Sequence, residues 1–76
     1  DEIADAKNQV IINAGNSSLN IINTYQQNNN LPILTFDQAI EEIRQQQSNK
    51  MIFGKSKSTI VGTYLPRLQR ARDLTQ

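Results

Sequence analysis

Three groups of residues in this 76-residue chain are of types that could do chemistry: the carboxylates Asp37, Glu41 and Glu42, the triplet Gly54-Lys55-Ser56, and the cations Lys50, Lys55, Lys57, Arg67, Arg70 and Arg72. Paired carboxylates can share a proton or a metal, a GKS triplet can close a phosphate-binding loop, and clustered cations can meet nucleic acid. The spacing does not favour the first two. Glu41 and Glu42 are adjacent and diverge by about 100° on a regular helix, so they cannot face one bond or one ion together. Asp37 and Glu41 could share a face, but both lie where acids favour the positive end of a helix. A phosphate loop needs a glycine five residues before the glycine of GK, and that position is Asn49.

The chain has no Cys and no His, which excludes disulfides, thiolate chemistry, the usual zinc ligand sets and imidazole acid/base catalysis. Catalysis would fall to carboxylates, Lys, Tyr and hydroxyls, and none of these forms a nucleophile and base constellation. We expect no catalytic, cofactor-binding or metal-binding residues. The basic cluster includes one aromatic well inside it, Tyr64, too few for base stacking along a strand, so direct nucleic-acid binding is the weaker alternative. Asn16-Ser17-Ser18 fits a glycosylation sequon, in an Asn-rich chain where such triplets arise readily.

The positioning elements are two helix-period apolar stripes. Ala4, Ile11, Ala14, Ser18, Ile22 and Tyr25 fall along one line of a helix, with Ile3, Val10 and Ile21 on one flank and Ile12 and Leu19 on the other. That arc covers roughly half the circumference, more than a single neighbour can bury. Gly15 and Asn16-Ser17-Ser18 should soften its middle. Leu31-Pro32 ends the helix, and Thr35-Phe36-Asp37-Gln38 reads as a capping box that starts the next.

From Phe36, the series Ile40, Ile43, Gln47, Met51, Gly54, Ser58, Val61, Leu65 and Leu68 keeps its phase. The expectation is therefore an all-α, single-domain antiparallel hairpin over residues 1–76: helix 1 about 3–30, turn about 31–35, helix 2 about 36–73. Gly54 and Pro66 leave open a kink or break in the second helix. Ile11, Ile22, Tyr25, Phe36, Ile40 and Ile43 are expected in the hairpin core. A second helix of that length would overhang the first by about 15 Å at about 1.5 Å per residue and carry Tyr64, Leu65 and Leu68 there; these, with Val61 and the first-helix flank residues Ile12 and Leu19, are expected to meet a partner helix.

Charge is divided along the chain: residues 1–46 hold six acids and two bases, residues 47–76 six bases and one acid. The division suits packing of one half on the other. No stretch is apolar enough to cross a bilayer, and a start at Asp1-Glu2 without Met is expected of a processed form.

NAGNSSLN (13–20), INTYQQNNNLP (22–32), LTFDQAIEEI (34–43) and FGKSKSTIVGTYLPRLQRARDL (53–74) resemble the phyllogens, secreted phytoplasma effectors that turn floral organs leaf-like. The resemblance implies a helical hairpin similar to the oligomerising keratin-like domain of plant MADS-domain transcription factors. It also implies binding to that domain in floral factors and their degradation through host proteasome-shuttle proteins. A cleaved signal peptide, bacterial secretion and action in the cytoplasm and nucleus of the host plant cell would follow. A homo-oligomer and a purely structural self-assembling coiled coil stay open as alternatives.

Overall fold

In a computed structural model that describes all 76 residues, three helical pieces and one minimal hairpin surround a small apolar core. Helix α1 spans Glu2–Asn28, and the Asp1 carboxylate caps it by accepting from the Ala4 N–H at 2.8 Å. Its end is a double-bonded reversal in which Leu31 N–H donates to the Gln26 carbonyl at 2.8 Å and Asn30 N–H to the Gln27 carbonyl at 3.2 Å. This closure needs a left-handed residue at its turn, and Asn30 adopts φ 58° there. Pro32 then prevents helical continuation.

The following segment is tied back onto α1. Asn23 acts as a bracket: its side-chain amide donates to the Leu34 carbonyl at 3.0 Å, and its side-chain oxygen accepts from the Leu34 N–H at 2.8 Å. Gln26 donates to the Pro32 carbonyl at 3.1 Å. Helix α2 (Phe36–Gln45) opens on the expected capping box, with both Thr35–Gln38 bonds formed. Its Ala39, Ile40 and Ile43 are buried, one face of a short amphipathic helix.

The second helix does not run from Phe36 to Asp73. It stops at Gln45, and a polar turn leads to strands β1 (Met51–Ile52) and β2 (Lys55–Ser56), paired antiparallel with Met51 opposite Ser56 and Ile52 opposite Lys55. The two-residue turn requires left-handed backbone at both positions, supplied by Phe53 (φ 52°) and Gly54 (φ 75°). The fold is therefore mostly helical but not all-α. Helix resumes with α3 (Lys57–Thr59), passes through a π-helical turn (Ile60–Tyr64) and continues as α4 (Leu65–Thr75).

Length explains the break. A helix of 27 residues is about 40 Å long at about 1.5 Å per residue, which matches the 41 Å long axis of the molecule. A straight rod from Phe36 to Thr75 would reach well past α1 and leave its apolar residues in water. Folding back instead buries Ile52, Phe53 and Ile60 in the core with Ile22, Ile40, Ile43 and Leu68. Each such side chain contributes about 1.5–3 kcal/mol, enough to outweigh a few helical hydrogen bonds lost at the turn.

Pro66 does not break the C-terminal rod. The π turn immediately before it carries an N–H to carbonyl bond from Leu65 to Ile60, five residues back, so the wider turn takes up the proline where a regular helix would kink. The antiparallel neighbour of α1 is this rod rather than α2. Gly15 lies against Ala71 and Arg67, and Asn8 and Ile11 lie near Arg70, Asp73 and Leu74. At Gly15 a Cβ would overlap that of Ala71, so the glycine that looks like a soft centre in the sequence is where the two helices cross closest.

Candidate interaction surface

The expected core and the expected partner surface are partly exchanged. Ile22, Ile40 and Ile43 are buried, and Tyr25 and Phe36 pack against the core they form. Ile11 is only half-buried, beside a shallow hollow lined by Asn8, Arg70, Asp73 and Leu74. Leu68, assigned by sequence to a partner, is fully buried and is a correction: the rod lies along α1, so its inner face is core. Leu19, Val61, Tyr64 and Leu65 are half-buried against that core, and Ile12 is half-buried on α1.

The overhang lies at the expected end of the hairpin but belongs to the other helix, α1 rather than the C-terminal rod. Leu74 sits near Asn8 and Ile11, so Asp1 and residues 2–7 of α1 project past the end of α4, and residues 1–10 are all exposed. At about 1.5 Å per residue the projection is about 10 Å.

The flank chosen from sequence is also the wrong one to be bare. Ile12 and Leu19 turn toward neighbours, whereas Ile3 (71% exposed), Val10 (68%) and Ile21 (42%) remain in solvent. These three lie within about 20° of one another around α1 at about 100° per residue, a single apolar line along the helix. Sequence periodicity had placed them together on one flank; nothing in periodicity could say which flank α4 and α2 would cover.

The residues with chemical potential are dispersed among structural roles. Lys55 sits in β2 with its ammonium 5.9 Å from the Tyr64 ring centre, a cation–π contact rather than a phosphate loop. Arg72 pairs with Asp37 at 3.7 Å and Asp73 at 3.1 Å, linking the basic half of the chain to the acidic half. Glu41 meets Arg44 at 3.9 Å, and Glu42 accepts from the Gln46 amide at 2.7 Å. The three helix acids thus point to three different partners. Solvent-exposed pairs of this kind stabilise by at most about 1 kcal/mol.

No three His, Cys, Asp or Glu side chains converge as a metal site, and no helix is long and apolar enough to cross a membrane. Within the sequon, Asn16 is exposed, but the Ser18 hydroxyl is buried and donates to the Ala14 carbonyl at 2.9 Å. The hydroxyl a glycosylating enzyme would read is thus engaged inside the fold. Comparisons with protein-family profiles, characterised proteins and solved structures returned no significant match.

Proposed function

We propose that the chain is a non-enzymatic helix-binding protein, and that its partner is the keratin-like domain of plant MADS-domain transcription factors. The observation that carries the binding reading is the bare apolar line Ile3, Val10 and Ile21 on a helix that outruns its intramolecular neighbour. Side chains repeating at about two and three turns along an exposed helix form a line that suits packing against a second helix. The identity of the partner rests on the sequence resemblance to phyllogens. On that reading the protein is a secreted bacterial effector that acts in host cytoplasm and nucleus and delivers floral factors to the proteasome through shuttle proteins.

A direct nucleic-acid role has less support, because Lys55 and Arg72 are already engaged within the chain. The test is the double variant Val10→Glu with Ile21→Glu, assayed by pull-down of a keratin-like domain. Both positions are exposed, so helicity by circular dichroism stays at the wild-type level while capture is lost. Retained capture would sink the proposed surface, and failure of the unaltered chain to capture any keratin-like domain would sink the partner.

A further inference from the structure

A second surface, sharing no residue with the bare line on α1, lies between the segment after α1 and helix α2. Its inner part is a groove of about 370 Å³ that includes Tyr25, Leu34, Phe53 and Glu42. An outer part continues along α2 past Pro32 and Leu34 to Gln38 and Glu41. Three large apolar side chains line it while staying about half in solvent: Leu31 (47% exposed), Ile33 (52%) and Met51 (56%). Isolated exposed apolar residues are ordinary, but here they line one channel.

The channel is also one-signed. Neither part is lined by Lys or Arg, whereas Glu42 lines both and Glu41 the outer one. The only cation bonded to either acid is Arg44, at 3.9 Å from Glu41, with both side chains more than half exposed. An acid-lined apolar groove favours an occupant with apolar anchors flanked by positive charge and disfavours an acidic one.

The walls are built in advance. The Asn23 bracket on Leu34, the Gln26 bond to Pro32 and the Thr35 capping box fix the outer wall and the start of α2. With the Leu31 N–H bond to the Gln26 carbonyl, these bonds occupy the Pro32 carbonyl and both backbone groups of Leu34, which shortens the edge open to an added strand. Exposed apolar side chains along the groove suit recognition through inserted side chains, which an amphipathic helix presents one turn apart.

We propose that this groove docks a basic amphipathic helix of a partner protein, with apolar side chains entering between Leu31, Ile33 and Met51 and Lys or Arg residues meeting Glu41 and Glu42. The partner need not be the one that meets α1.

The probe is a pair of synthetic helical peptides of about five turns with one leucine stripe, flanked by Lys and Arg in one and by Glu in the other. Fluorescence polarisation with the full chain should show the basic peptide binding about tenfold or more tighter than the acidic one. Glu41→Lys with Glu42→Lys should reverse that order, and Leu31→Ala with Met51→Ala should weaken the basic peptide by about tenfold. Amide shifts on titration should centre on residues 31–34, 41–46 and 51–53. Equal binding of both peptides, absence of binding, or an order unchanged by charge reversal would overturn the proposal. So would loss of the basic peptide in the Val10→Glu/Ile21→Glu variant, because the peptide would then sit on α1. That variant tests the α1 reading separately, so either surface can fail while the other stands.

Discussion

Replacing Gly15 by alanine should destabilise the protein even though alanine is the better helix former. In an open helix the change would gain about 1 kcal/mol. Here the new Cβ would overlap the Ala71 Cβ and stand 3.0 Å from the Arg67 carbonyl oxygen. Carbon atoms pack at about 3.5–4.0 Å, so α1 and α4 must part by about 1–2 Å along their main contact. Forcing an extra methyl into a packed site costs about 1–3 kcal/mol, and both obstacles belong to backbone or to Cβ, which cannot rotate away. The upper part of that range applies, leaving a net loss of about 1–2 kcal/mol after the propensity gain.

For a domain of this size the loss corresponds to a fall in Tm of about 4–16 °C. Thermal and urea unfolding followed by circular dichroism would measure it. Ala71→Gly in the same chain removes the first obstacle, so the two substitutions together should cost about 1 kcal/mol less than the sum of the separate ones. Gly62 is the control: a Cβ there meets nothing within 4 Å, and Gly62→Ala should be neutral or should stabilise by up to about 1 kcal/mol. An unchanged or raised Tm for Gly15→Ala would refute the close crossing of α1 and α4. Strict additivity with Ala71→Gly would remove Ala71 as its cause.

Asn23→Ala leaves the Leu34 N–H and carbonyl without their partners at a half-buried site, and should cost about 1–3 kcal/mol in urea unfolding; hydrogen exchange at Leu34 should accelerate while α4 amides keep their protection. Thr35→Ala removes the side-chain acceptor for the Gln38 N–H and should cost about 1 kcal/mol, with no loss if the capping box does not form in solution.

Much of the fold was legible where local chemistry is strong. The end of α1, the proline after it and the capping box at Thr35 are set by residues a few positions apart, and all three stand as read. The path from Gln46 to Ser56 was less legible. A helical stripe runs in phase through Gln47, Met51 and Gly54, yet phase reports only where side chains would point if the segment were helical. It does not report whether there is a helix beside them to cover. Here α1 ends, and tertiary burial of Ile52 and Phe53 overrides the local pattern. Phe53 is the clearest case. A bulky residue at φ 52° carries local strain of order 1–3 kcal/mol, offset by its burial and by an edge-on contact with Tyr25 at 6.2 Å between ring centres. No short-range rule would put phenylalanine first in such a turn; the usual occupants are Asn, Asp and Gly.

The same logic explains why the exposed apolar side chains lie elsewhere than the sequence reading placed them. An apolar arc covering half a helix needs more than one neighbour, and that remains true in the folded chain. Breaking the second helix supplies a second layer at one end of α1, where Tyr25, Phe53 and Gly54 meet, and withdraws length from the other. The surplus therefore moves from the C-terminal rod, whose Leu68 becomes core, to the first two turns and the Ile3–Val10–Ile21 line of α1. It follows that the core and the proposed partner surface are separable by mutation. Substitutions along that line should change binding with little change in stability, whereas Leu65 and Leu68 should change stability first and binding only as its consequence.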